Sequence, residues 1–188
     1  MNVFKQNLIP IIALIITGTT ALLAYDHLFY VIPYVVFKYP LAIIVVYIFF
    51  RFIAFSDRRR SAQLDEVGLL RPMRDGAFLF LAHVHLLDLG ADLNILSSAS
   101  SVHVGLLSWA VLLTGHYAVQ QPQGLLGRLV DILPGITPTT RAVTCHGFII
   151  AGILGVIGTF TATLQPLWLC IPLLLVFIWT RKRSGDLS

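Results

Sequence analysis

The sequence predicts an all-α fold: one transmembrane domain over 1–188, a polytopic membrane helix bundle of about six transmembrane helices with both termini cytoplasmic. Three observations carry this expectation. The composition is 57% hydrophobic and only 12% charged, with a mean hydropathy of +0.84. Apolar stretches of near-bilayer length recur along the chain. The basic residues fall almost wholly on alternate connections between them. Hydrocarbon offers no partner to a bare backbone, so such stretches cross a membrane as helices.

The spans follow in order. The first, 8–25, comes after Lys5 and in that respect resembles a signal peptide. It closes on Ala24-Tyr25-Asp26 without a small-x-small cleavage pattern, and so reads as a retained span. The second, 34–55, is most apolar over 41–50. The third, 76–96, is the least apolar, because it carries His83, His85, Asp88, Asp92 and Asn94. The fourth is 102–118. The fifth, 143–162, places Gly147, Ala151, Gly155 and Thr159 at four-residue spacing, with Gly152 and Gly158 nearby. Small residues on one face let helix backbones approach closely, so this face expects another span or another protein. The sixth, 166–180, is short. About 20 residues cross a core of about 30 Å, so it needs a thin bilayer or packing neighbours.

Orientation comes from charge. Connections 26–33, 97–101 and 163–165 contain no Lys or Arg. Arg51, Arg58, Arg59, Arg60, Arg71 and Arg74 follow the second span, Arg128 and Arg141 the fourth, and Arg181, Lys182 and Arg183 the sixth. Cytoplasmic loops are enriched in Lys and Arg, which places both termini inside. Lys38 is the exception, and it snorkels to an outer aromatic belt of Tyr25, Phe29, Tyr30, Tyr34, Phe37 and Tyr39. The connection 124–133 has apolar residues on one helical face and stops at Pro134, as either an ordinary amphipathic connector or an interfacial helix would; 61–70, before Pro72, is similar.

The net charge of +4 and pI near 9.3 follow from these basic loops and imply no nucleic-acid partner. Cys145 and Cys170 are too few for a disulfide framework or a CxxC metal site, and the spans put them near opposite faces. No Ser/His/Asp set, Gly-rich phosphate loop or Cys/His zinc spacing is present.

Ionisable groups inside a span must be paired, neutralised or wetted. His85, Asp88 and Asp92 follow i, i+3, i+7 and form one polar stripe, while His83 points elsewhere. The stripe suits either a buried His–Asp pair at a helix contact or a proton or ion path. The histidines also sort by depth, with His27 and His103 near the outer face and His83, His85, His116 and His146 in the inner half. A b-type haem needs two imidazoles at one depth on facing helices. His116 with His83, His85 or His146 would serve an inner haem, and His27 with His103 an outer one.

Two fragments resemble the aspartyl prepilin peptidases, small polytopic proteases with two catalytic aspartates. In Asp26-His27-Leu28-Phe29-Tyr30-Val31-Ile32-Pro33 the Asp-to-Pro spacing of the first family motif is kept, with Tyr34 where the family has Asn. In Leu89-Gly90-Ala91-Asp92-Leu93-Asn94 the Asp of the second motif is kept, with Leu89 and Ala91 for its glycines and Asn94 for its Lys. The resemblance implies Asp26 and Asp92 as a catalytic pair sharing a proton to activate water. Charge places both on the outer face, whereas the family cuts on the cytoplasmic side.

The expected function is a non-catalytic subunit, or an accessory or scaffold protein, of a larger membrane assembly. The protease and the haem-binding electron-transfer subunit are the alternatives. The expected partners are the lipid bilayer and other membrane protein subunits, in a bacterial-type inner membrane.

Overall fold

Long apolar runs with few breaks leave the backbone no partner but itself, and the chain answers with helices. The computed structural model describes residues 3–28, 33–56, 62–64, 67–96, 101–133, 136–161 and 165–185. Its main elements are α1 (Val3–Leu28), α2 (Pro33–Ser56), α3 (Leu70–Asp92), α4 (Ser101–Gln120), α5 (Leu125–Asp131), α6 (Pro138–Gly158) and α7 (Gln165–Gly185). No strand occurs among the described residues. Among the described residues, three helical segments are long and apolar enough to cross a membrane: Asn7–Tyr25, Val102–Gln120 and Pro138–Gly158, with mean hydropathy 2.1, 1.4 and 1.6.

The six long helices form two groups of three. In the first, α1, α2 and α3 pack on one another; in the second, α4, α6 and α7 do; α3 and α4 make the seam. The core of the first group is Ala13, Ile43, Phe78 and Ala82, with Tyr47 and Phe50 of α2 ringing the fully buried Phe78. A smaller cluster of Ala21, Ala24 and Leu89 lies further along α1 and α3.

The second group is held by small residues. A Cβ added at Gly152 would lie 2.7 Å from Ser108 O and Leu112 N of α4. At Gly155 it would lie 3.0 Å from Ser108 Cβ of α4 and 3.1 Å from Leu169 Cβ of α7. Gly147 faces Val176 of α7. The close-contact face of the fifth span is therefore filled from within the chain, by α4 and α7.

Local signals explain the helix ends. Thr137 caps α6: its hydroxyl accepts from Thr140 N at 3.3 Å, and the Thr140 hydroxyl accepts from Thr137 N at 2.8 Å. Pro138 follows at the first helical position, where its missing N–H costs nothing. The helix thus begins five residues before the expected span at 143. The third span also differs from expectation, since α3 starts at Leu70 and holds Pro72 in its first turn. It ends at Asp92 because Asn94 adopts a left-handed φ of 57°. Ile95 N then bonds Gly90 O at 2.8 Å and Asn94 N bonds Ala91 O at 3.0 Å, satisfying the last carbonyls. Of the segment 61–70, residues 62–64 are helical and 67–68 form a turn.

Candidate functional site

The buried ionisable residues cluster on α3, and each one reaches a different neighbour. Asp75 is 4% exposed. Its Oδ1 accepts from Arg74 Nη2 at 2.8 Å and Arg74 Nε at 2.9 Å, and its Oδ2 accepts from the Tyr117 hydroxyl of α4. This clasp closes one end of the α3–α4 seam.

His83 lies further along the seam. Its Nε2 is 3.0 Å from the Thr159 hydroxyl just past α6. That hydroxyl donates its one proton to Val156 O at 2.6 Å, so the imidazole is the donor to Thr159. Gly105 of α4 makes the room, because a Cβ there would sit 2.8 Å from His83 Nε2. Trp109 and Phe160 flank the ring, with centroids at 6.2 and 5.3 Å.

His85 faces the other way, into the first helix group. Its Nε2 is 2.9 Å from the Thr20 hydroxyl of α1. Thr20 donates to Ile16 O at 2.7 Å, so this imidazole is also the donor. Tyr39 of α2 meets the ring edge-on at 5.6 Å. One turn on, Asp88 Oδ2 accepts from Lys38 Nζ and from the Tyr39 hydroxyl, both at 2.7 Å.

The sequence stripe of His85, Asp88 and Asp92 therefore divides. His85 and Asp88 are drawn into contacts with α1 and α2, while Asp92 stands exposed at the end of α3. Asp26 falls in α1, but its side chain lies outside the described residues.

The histidines named as haem ligands divide between the two ends of the bundle, His83 away from His116 and His146. His83 meets Gly105 near the start of α4 and Thr159 past the end of α6. His116 near the end of α4 and His146 near the start of α6 lie at the opposite end of the bundle. His116 Nε2 is 2.9 Å from the Gln120 side-chain nitrogen, and exposed His146 donates from Nδ1 to Ala142 O at 2.6 Å. His103 is exposed, and His27 lies outside the described side chains. Among the described contacts no two histidines meet, and among the described residues no three His, Cys, Asp or Glu side chains converge on a metal-sized space. The Nε2 atoms of His83 and His85 are directed to threonine hydroxyls.

Sequence reasoning passed over several partners that matter here. Thr20 and Tyr117 look unremarkable in the sequence, Tyr39 looks like one of an aromatic belt, and Lys38 looks like a snorkelling exception. The one available signal was Asp75, an acid held between arginines and an apolar run. Compared with protein-family models, curated proteins and solved structures, the chain matches none.

Proposed function

We propose that this chain is an integral, multi-pass membrane protein. Six of its helices cross a bacterial-type inner membrane, with both termini cytoplasmic, and it serves as a non-catalytic subunit or scaffold of a larger membrane assembly. The observation that carries the membrane reading is an inverted distribution of polarity. Leu23, Val45 and Phe52 are 74%, 64% and 64% exposed, while Asp75, His83 and His85 are 4%, 3% and 1% exposed. Water drives the opposite arrangement, whereas lipid accepts apolar side chains outside and requires polar ones to be satisfied inside. The location of Arg51, Arg71, Arg74, Arg128, Arg141 and Arg181 near helix ends that follow even-numbered spans supports the orientation.

The scaffold reading is supported by what the polar groups do. Asp75, His83, His85 and Asp88 each bond a side chain of another helix or of the segment just past one. In lipid such bonds hold helices in register. These four polar groups of α3 are engaged in assembling the bundle.

The test is native mass spectrometry of the protein solubilised from its own membranes in mild detergent. A particle of fixed stoichiometry with other chains is the expected result. A monodisperse lone monomer would sink the subunit reading. Resistance to extraction by carbonate tests the membrane reading separately.

A further inference from the structure

The connection between α4 and α6 folds back along the bundle. Val130 of α5 is fully buried and shares a core with Ala118 of α4 and Cys145 of α6. Cys145 stands seven residues into α6, which is about 10 Å along its axis at about 1.5 Å per residue. So α5 lies beside the first turns of α6 and the last turn of α4, level with the helix ends.

Specific bonds hold it there. Leu125 N donates to Val67 O at 2.9 Å. Arg141 of α6 grips Asp131 Oδ1 through Nε at 2.6 Å, and its Nη2 reaches Ala118 O at 3.4 Å and Pro122 O at 3.3 Å. Gly127 permits the tight entry, since a Cβ there would lie 2.6 Å from the Pro122 carbonyl carbon. The opposite face of α5 is apolar and uncovered. Leu129 is 46% exposed and Ile132 77% exposed, with Leu125 exposed beside them. Arg128, also exposed, is steadied by a bond from Nε to Gln123 O at 3.0 Å.

We propose that this face is occupied by lipid. In that arrangement α5 is a strap lying in the plane of the cytoplasmic leaflet, with Leu125, Leu129 and Ile132 at the acyl boundary and Arg128 among anionic headgroup phosphates. The inference rests on the membrane reading above and deepens it. Two observations favour lipid over water or a protein partner. The level of α5 beside the helix ends puts its outer face where the bilayer boundary must run. Its apolar side chains adjoin a basic residue at the arginine-rich end of the bundle, the pattern by which short helices engage anionic leaflets.

The experiment uses the full chain in vesicles containing anionic phospholipid, with Cys145→Ala and Cys170→Ser as background. Nitroxide labels are placed singly at Leu129→Cys, Ile132→Cys, Gln123→Cys and, as a membrane control, Val45→Cys. Collision rates with oxygen and with a water-soluble nickel complex are then compared. Oxygen should dominate at 129, 132 and 45, and nickel at 123. Nickel dominance at 129 and 132 with oxygen dominance at 45 overturns the strap while the membrane reading stands. Poor access of both reagents at 129 and 132 means a protein covers the face, and also overturns it. Nickel dominance at 45 as well means that the membrane reading itself has failed, and the strap with it.

Discussion

Lys38 Nζ on α2 and Asp88 Oδ2 on α3, fifty residues apart in the chain, stand 2.7 Å from each other. The Tyr39 hydroxyl donates to the same oxygen at 2.7 Å, and Lys38 Nζ sits 4.8 Å from the Tyr39 ring centroid. Both charged side chains are partly exposed, at 24% and 30%, so the pair falls between a surface salt bridge and a buried one. Lys38→Met leaves a carboxylate with one neutral donor in apolar surroundings. It should cost about 1–3 kcal/mol, between the values for exposed and buried pairs. Adding Asp88→Asn should recover most of the loss, because the amide can still meet Tyr39. Thermal unfolding of the single and double variants in detergent measures the coupling. Additive effects would mean that the two side chains do not interact.

The two buried imidazoles make a parallel prediction. Thr20 and Thr159 each accept from a histidine while donating to their own helix. Thr20→Val and Thr159→Val keep the shape but leave a buried N–H unpaired, at about 1–3 kcal/mol each. Thr→Ser at either position should be nearly neutral. A Val variant as stable as its Ser counterpart would remove the hydrogen bond from the account.

Gly155→Leu should harm the second helix group more than Leu154→Ala. A side chain at 155 runs into both Ser108 and Leu169, and overpacking of a tight contact costs about 1–3 kcal/mol or more. Leu154 instead lines an open apolar cavity of about 360 Å³ between α6 and α7, beside Leu167, Trp168, Ile171 and Pro172. Yield of folded monomer by size-exclusion chromatography distinguishes them. Equal yields would argue against the glycine face as the α4–α6–α7 contact.

Much of the helical plan is legible in the sequence because apolar runs declare themselves by length. The small-residue face at Gly147, Ala151 and Gly155 is legible for the same reason, as a local four-residue pattern. Its partner is not, because nothing in the spacing distinguishes α4 and α7 from a foreign helix. The start of α6 was readable in Thr137-Pro138, a cap followed by a first-turn proline, but the apolar run itself begins later and masks it. The end of α3 was harder. Leu93, Ile95 and Leu96 continue the apolar pattern, and only the left-handed backbone at Asn94 breaks it. The polar contacts were least legible of all. Lys38 with Asp88, Tyr117 with Asp75 and Thr159 with His83 are long-range pairs that depend on how helices pack.

The contrast between Asp88 and Asp92 provides the sharpest test of the functional reading. The two lie one turn apart on α3, yet Asp88 is bonded to Lys38 and Tyr39, while Asp92 is exposed at the helix end. If the polar groups of α3 are structural, the substitutions should separate by position. Asp88→Leu should destabilise the bundle, since it strands a lysine and a tyrosine hydroxyl. Asp88→Asn should be mild. Asp92→Asn and even Asp92→Leu should leave unfolding temperature and recovery of the native assembly unchanged, because no described contact depends on that carboxylate. A group that carries protons or activates water behaves otherwise, since Asn keeps its shape but removes its titration. An Asp92→Asn chain that accumulates and assembles normally but fails to restore the growth or membrane phenotype of a deletion strain would overturn the non-catalytic reading. If Asp26→Asn failed in the same way, a two-aspartate chemistry would be the better account. Full complementation by both Asn variants, with loss confined to Asp88→Leu, is the outcome expected of a scaffold.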